Sequence, residues 1–464
     1  MCRSMCVRSQ RRRERTGDAH MSDQVVGLLW EGVQAAGALT LLVALMGAFV
    51  RWPMAAMVFL SLSVLVLWEW PAPPALVSVG GAAVYPNDVL VIAMVGAAGI
   101  NLIRNTVRRG ALFNVAALVT LLLLVSLLRG ISDNGVGSAI NEARSILFVP
   151  LVFLWALSVD WSQRGDKDRL LRVWSVATGI ALTTLGFYHA IRYGVGAADE
   201  FVDVGGETHS GRILVSAQAL VLAMCIFVVV ATATQRHWAR SALAVVPMAV
   251  VLVLSQQRSV LVAVAVALVV AFFRAGLVKK VQALFLGVAA GIVVLVIAVF
   301  VDGNVTSKLL QSASSAGTYE GRTAAWSSLI DASVEQGLPT ILFGASMGSG
   351  WRRLDEDGVW VEYSPHNWYV SIYLRIGLVG LIALVVWCFA MFARALRRDA
   401  NAAAIVVAVT LIVFGWGYSW PFQAMGVLGM LLAVTTGASD PTPGKPRESK
   451  IGSSSYRRQP IARS

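Results

Sequence analysis

Charge is scarce in this sequence. Asp, Glu, Lys and Arg make up 14% of its 464 residues, where a soluble domain carries about 25%, and the mean hydropathy is +0.70. An ordinary water-soluble fold is therefore excluded. Cysteine is also rare. Of the four, Cys2 and Cys6 lie in a leader, and Cys225 and Cys388 lie in apolar runs where they read as small buried hydrophobes, so no disulfide framework is expected. Histidine, Asp, Glu and Cys fall into no metal-ligand spacing, and no glycine-rich loop followed by Lys and Ser or Thr opens a helix after a strand. No metal or cofactor is expected, and any reaction must draw its energy from the substrate. No repeat of fixed period is present. The net charge of +12 would suit nucleic acid, but the basic residues stand in short clusters between apolar runs, as in cytoplasmic loops. Nucleic acid is not an expected partner.

What the chain has instead is apolar blocks, near the roughly 20 residues that cross a hydrocarbon core as a helix. The expected spans are 33–50, 54–70, 88–103, 111–129, 144–159, 171–191, 212–232, 241–256, 259–273, 283–302, 369–393, 400–417 and 424–437. Clusters at Arg104, Arg108 and Arg109, at Arg164, Lys167, Arg169 and Arg172, at Arg236 and Arg240, at Arg274, Lys279 and Lys280, and at Arg394, Arg397 and Arg398 share one side, expected to be the cytoplasm. The other side takes Asp133, Glu142, Asp199, Glu200, Asp203 and Glu207, and the long stretch 303–368.

The expected class is thus an all-α polytopic membrane protein of about 12 or 13 transmembrane helices, with one long structured extracytoplasmic loop. The divisions are a basic, disordered leader at 1–32, a first helix block at 33–302, the loop at 303–368, C-terminal helices at 369–437 and a disordered cytoplasmic tail at 438–464. Thirteen spans put the N-terminus outside, against the basic leader. Either 33–70, broken by Arg51, Trp52 and Pro53, is not two full crossings, or translation begins at Met21. Within the loop, Tyr319 to Glu335 has the apolar spacing of an amphipathic helix, followed by a glycine-rich Phe343 to Gly350. A loop this long with its own helix points to function.

Ionisable residues at the ends of spans are costly and therefore informative. Arg258 stands in a tight outer turn, Ser255 to Ser259, against the charge bias of that side; a snorkelling interfacial arginine is the rival reading. Arg212 follows His209, Ser210 and Gly211 at the head of another span, and Arg144 heads a third beside Glu142; both could simply be anchors. Arg322 and Trp326, four apart, share one face of the loop helix, which could rest on the membrane with Trp326 in the interface and Arg322 at phosphate depth. His366 lies in Tyr363 to Tyr369, where the loop re-enters the membrane just after Pro365. His366 and His209 share the outer compartment with arginines, where a base of near-neutral pKa could meet a phosphorylated lipid. His189 has no acidic partner nearby in sequence, and Asp355 to Asp357 read as a solvated run.

From about residue 85 to 435 the order of elements resembles the O-antigen ligase and polysaccharide polymerase superfamily of polytopic glycosyltransferases. The resemblance is carried by Gly321, Arg322 and Trp326, then Gly344, then Pro365, His366, Asn367 and Tyr369, then Gly377, Leu378, Val379 and Gly380. Arg258 and Ser259 match a serine-arginine turn, although Gln256, Gln257 and Val260 depart from its small-residue surroundings. The resemblance implies a GT-C-like fold and an inverting, metal-independent transfer at the outer face of a bacterial cytoplasmic membrane. An acceptor hydroxyl attacks the anomeric carbon of a polyprenyl-diphosphate-linked glycan, and polyprenyl diphosphate leaves.

By that resemblance His366 is the base or positions the acceptor, and Arg258, Arg322 and Arg212 hold the diphosphate. Guanidinium forks match phosphate oxygens, which agrees with that role. Arg144, His209 and Trp326 join the substrate-binding set, with Asn367 and Tyr369 orienting the ring or binding sugar hydroxyls. Arg375 either adds to phosphate binding or pairs with an acid such as Glu362 or Asp88. The implied partners are the lipid-linked donor, a glycan or glycolipid acceptor, membrane lipids and other envelope polysaccharide assembly proteins. A polymerase is the leading expectation. A ligase acting on a different lipid or protein acceptor is the alternative, and a transporter or flippase for the same lipid is a third, which would show inverted repeats or broken helices with ionisable groups near the midplane.

Overall fold

The computed structural model describes residues 33, 36–69, 73–79, 81–104, 110–161, 167–196, 201–204, 207–233, 238–274, 291, 317–354, 360–362, 364–397 and 402–434. The expected span 283–302, the basic leader and the tail from 435 onward lie outside them, apart from Gly291. Helices dominate, as the apolar runs require when backbone groups must find partners within the chain. In chain order they are α1 (Ala36–Arg51), α2 (Pro53–Leu65), α3 (Pro86–Arg104), α4 (Ala111–Asn134), α5 (Val136–Ser158), α6 (Lys167–Tyr193) and α7 (Ser216–Thr232). Then follow α8 (Trp238–Leu254), α9 (Arg258–Arg274), α10 (Gly317–Glu335), α11 (Leu338–Phe343), α12 (Trp368–Ala395), α13 (Ala402–Gly417) and α14 (Phe422–Val434). Three short antiparallel hairpins edge the bundle: β1 (Val77–Val79) with β2 (Ala82–Val84), β3 (Phe201–Val204) with β4 (Glu207–Ser210), and β5 (Arg353–Leu354) with β6 (Trp360–Val361).

Among the described residues, five helices are long and apolar enough to cross a membrane: α3, α4, α5, α6 from Asp168, and α12. The apolar helices α7, α8, α9, α13 and α14 are shorter. The chain is a helical membrane protein. At the start, α1 and α2 meet at 116°, either as one broken span or as a re-entrant pair. Proline drives its predecessor out of the helical region, and Trp52 sits at φ −131° and ψ 75° while Pro53 opens α2.

Helix α5 packs against α3, α4 and α14, while α13 packs against α9, α12 and α7. Lipid is as apolar as the side chains, so close packing and inter-helix hydrogen bonds hold such a bundle. Ser61 and Thr178 bond at 2.9 Å, Gln423 Nε2 donates to Ser63 Oγ at 3.1 Å, and Tyr369 Oη donates to the Ile412 carbonyl at 2.6 Å. Trp368 and Trp420 are fully buried and stack at 5.4 Å, with Trp387 edge-on to Trp420 at 5.8 Å.

The re-entry of the long loop rests on two glycines. Helix α12 is broken at Gly377, whose φ of 64° and ψ of −164° suit glycine alone. A Cβ there would overlap the backbone of Leu342, and one at Gly344 (φ +73°) would overlap that of Arg375. The carbonyls freed by the break are satisfied: Ala345 N–H donates to the Leu374 carbonyl at 2.8 Å, and Ser126 Oγ donates to the Arg375 carbonyl at 2.8 Å. Downstream, Asn134 Nδ2 donates to the Met347 carbonyl at 3.0 Å, which fastens the loop to the end of α4. Gly344→Val should therefore lower the melting temperature in detergent sharply, since backbone strain alone costs about 1–3 kcal/mol. Gly321→Ala, whose Cβ would meet nothing within 4 Å, should melt like the parent.

Candidate functional site

The site gathers where four distant segments meet: the turn before α9, the head of α10, the strand-free stretch before α12, and the turn between α13 and α14. Its centre is Tyr418, one residue past α13. Arg322 Nη2 donates to the Tyr418 hydroxyl at 3.0 Å and Nη1 to the Gly417 carbonyl at 3.3 Å, and the guanidinium lies 4.7 Å from the Tyr418 ring centre. Arg212 lies close enough for its charge to act on the Tyr418 hydroxyl. Burial raises the Tyr418 phenol, but the charges of Arg322 and Arg212 and the Arg322 hydrogen bond outweigh it, so its pKa falls below the usual tyrosine value.

The turn at Arg258 is built by the glutamines that set it apart in sequence. Gln256 takes a left-handed φ of 53°, and its Nε2 donates to the Gly196 carbonyl at 2.9 Å. Gln257 Nε2 donates to the Leu214 carbonyl at 2.7 Å, and its Oε1 accepts from Arg212 Nη1 at 3.1 Å. One side chain thus couples the Arg258 turn to Arg212. Ser259 is packed so closely on Gly417 that a methyl added there would meet its hydroxyl at 2.7 Å. Arg258, Arg212 and Arg322 are therefore brought to one end of α13.

His366 faces them, its ring 5.6 Å from that of Tyr418. Its backbone is left-handed at φ 46°, a conformation costly for most residues and commoner for His and Asn. Two neighbours hold it there. Trp326 Nε1 donates to the Pro365 carbonyl, and Asn367 Oδ1 accepts from Tyr369 N–H at 3.0 Å and Val370 N–H at 3.1 Å, capping α12. His366 is exposed and lines a cavity; partial desolvation there, then the charges of Arg322 and Arg353, lower its pKa from the ordinary value. A cavity of about 310 Å³ is lined by His366, Tyr418, Trp351, Ser364, Ser371 and Ser419, and also by Ser145, Ile146 and Ser216.

The remaining expected residues are placed by what they touch. Trp326 is buried, not interfacial, in contact with Trp416 at 6.0 Å, and it props the His366 loop. Asn367 is buried as the helix cap, and the Tyr369 hydroxyl is spent on α13. Arg375 is 2% exposed and pairs with Glu142, not Glu362 or Asp88; it also donates to Ser349 Oγ at 2.8 Å and the Gly350 carbonyl at 2.6 Å. It thereby fixes the loop against α5. Arg144 bonds Asp88 at 2.7 Å, Asn141 and the Ala83 carbonyl, and lies over Tyr85. His209 lies in β4 opposite Val202; its side chain lies outside the described residues. His189 has an acidic partner after all: Nε2 lies 2.9 Å from Glu69, 120 residues away, and Trp68, stacked on it, donates to the Arg212 carbonyl at 3.1 Å.

Sequence reasoning passed over Tyr418, Gln257 and the serines. The available signal was Tyr418 and Ser419 as polar residues in the one-turn gap between two apolar helices. Asn367→Ala should cost about 1 kcal/mol of stability, as loss of an N-cap does, and Asn367→Ser should restore the melting temperature; turnover per folded molecule reports any separate part in sugar binding.

Among the described residues, no group of three or more His, Cys, Asp or Glu side chains could hold a metal ion. Residues 243–385, which run from α8 into α12 and include Arg258, Arg322 and His366, match the family model described as Wzy_C, O-Antigen ligase. No curated protein matches the chain.

Proposed function

We propose that this chain, whose residues 243–385 match the O-antigen ligase family model, transfers a glycan from polyprenyl diphosphate to an acceptor hydroxyl. The observation that carries the proposal is that Tyr418 and His366 line one cavity with their rings 5.6 Å apart, while Arg322 is hydrogen-bonded to the Tyr418 hydroxyl and the charge of Arg212 acts on the same group. In this reading Arg322, Arg258 and Arg212 hold the diphosphate. Their charge offsets the negative charge that grows as the glycosidic C–O bond to phosphate breaks. His366, neutral at physiological pH, accepts the proton of the acceptor hydroxyl as the new bond forms at the anomeric carbon with inversion. A sugar hydroxyl is a weak acid, so C–O cleavage runs ahead of proton transfer, and His366 orients the acceptor as well as taking its proton.

The site then faces outward from a bacterial cytoplasmic membrane, with the basic inter-helix loops inside. The acceptor is a second lipid-linked glycan, which makes the protein a polysaccharide polymerase. The description of the matched family favours a second reading, transfer to a different acceptor as a ligase. Purified protein given labelled lipid-linked oligosaccharide should release polyprenyl diphosphate and lengthen the lipid-linked glycan. Release with a label appearing only on an added glycolipid supports the ligase reading, and unchanged lipid-linked substrate that merely crosses a vesicle bilayer would replace both with a flippase.

A further inference from the structure

We propose that Tyr418 is a donor-binding residue of this site: its hydroxyl fixes the Arg322 guanidinium and adds its own O–H to the phosphate that Arg322 and Arg212 bind. The inference rests on the diphosphate role proposed above and goes beyond it. A phenol oxygen has two acceptor sites and one proton. One acceptor site is taken by Arg322 at 3.0 Å. A hydroxyl that accepts from a guanidinium keeps its own O–H to donate, and Tyr418 lines the cavity together with His366.

The two guanidiniums repel one another, and separate oxygens anchor them before any anion arrives, the Tyr418 hydroxyl for Arg322 and the Gln257 amide for Arg212. Neither fork is exhausted by this arrangement. Arg322 uses its two terminal nitrogens on Gly417 and Tyr418, and Arg212 uses Nη1 on Gln257, while Arg212 Nε has no partner among the described residues. Tyr418 is itself fixed by stacking on Phe414 at 5.6 Å and by the Arg322 guanidinium over its ring. Those contacts belong to the ring and survive removal of the hydroxyl, so Tyr418→Phe isolates the oxygen.

The test is binding of inorganic diphosphate to the purified full chain in detergent, followed by steady-state kinetics. Tyr418→Phe should weaken diphosphate binding about tenfold, equivalent to about 1.4 kcal/mol. It should raise the KM for the lipid-linked donor in parallel, leaving kcat, the acceptor KM and the melting temperature close to the parent. A ring-only role predicts equal diphosphate affinity in a folded Tyr418→Phe protein, and that result, or tighter binding, overturns the proposal. Replacement of Tyr418 by 3,5-difluorotyrosine keeps ring and oxygen but lowers the phenol pKa, so diphosphate affinity should fall at a lower pH than in the parent as the O–H is lost. An unshifted pH dependence also overturns it. Parent protein that binds no diphosphate overturns the diphosphate role itself, a failure distinct from that of the hydroxyl.

Discussion

His366→Asn should slow transfer by roughly 10² to 10⁴ while leaving diphosphate and donor binding near the parent value. Asparagine tolerates the left-handed backbone that His366 adopts at φ 46°, so the loop is kept and the base is removed. A positioned general base contributes roughly 10² to 10⁴ in rate, or about 3 to 5 kcal/mol of barrier, and a loss in that range per folded molecule is expected. Alanine at the same position adds backbone strain, so its lower activity mixes a folding defect with the chemical one. The pH profile carries the same information. Desolvation, then Arg322 and Arg353, lower the pKa of His366 below 6.5, so the neutral, proton-accepting form persists further into acid than in a free histidine. The acid limb of kcat/KM should therefore have its midpoint below 6.5, and Arg353→Gln should move that midpoint upward by removing one of the charges. A limb unchanged in His366→Asn assigns the titration to another group.

Arg322→Ala is expected to do comparable damage by a different route. Its guanidinium serves the Gly417 carbonyl, the Tyr418 hydroxyl and the Tyr418 ring together. Loss of a preorganised donor to developing charge costs on the order of 10² to 10³ in kcat. Arg322→Lys keeps the charge but not the planar fork, and should recover only a fraction of that loss. Arg258→Lys should behave alike. Normal donor turnover with alanine at both positions would remove the arginines from the chemistry. Arg375→Lys should differ in kind: its partners are Glu142, Ser349 and Gly350, so the melting temperature should fall along with turnover.

How much of this was legible in the sequence depended on the range of the interaction. Some apolar runs gave their ends closely, 88–103 becoming Pro86–Arg104 and 171–191 becoming Lys167–Tyr193, but the run at 144–159 is the later part of Val136–Ser158, so Arg144 lies inside α5 and not at its head. The loop helix expected at Tyr319 to Glu335 appears at Gly317–Glu335. The bend at Pro53 was visible only as a breaker, because a proline fixes the local break but not the angle between two helices. The hairpins were missed because strands of two to four residues carry no periodicity.

Within the site, the arginines and His366 stood out because a charged or titratable group at a membrane seam is rare. Their partners did not. Glu142 and Arg375 are 233 residues apart, Glu69 and His189 120 apart, and nothing local in the sequence pairs them. Trp326 read as an interfacial aromatic because its spacing from Arg322 suits that role; only the packing of α10 on the His366 loop turns it inward. Gly344 and Gly377 were noticed as part of a pattern, and their physical reason is the contact between a re-entering loop and a broken helix.

The most direct test of the central claim is a structure of the full chain with polyprenyl diphosphate bound. The account predicts diphosphate density within hydrogen-bonding distance of Arg322, Arg258 and Arg212, beside Tyr418, with His366 across the cavity from it and the lipid tail leaving between helices. Diphosphate bound elsewhere in the bundle, with Arg322 still on Tyr418, Arg212 still on Gln257 and His366 out of reach, would contradict it.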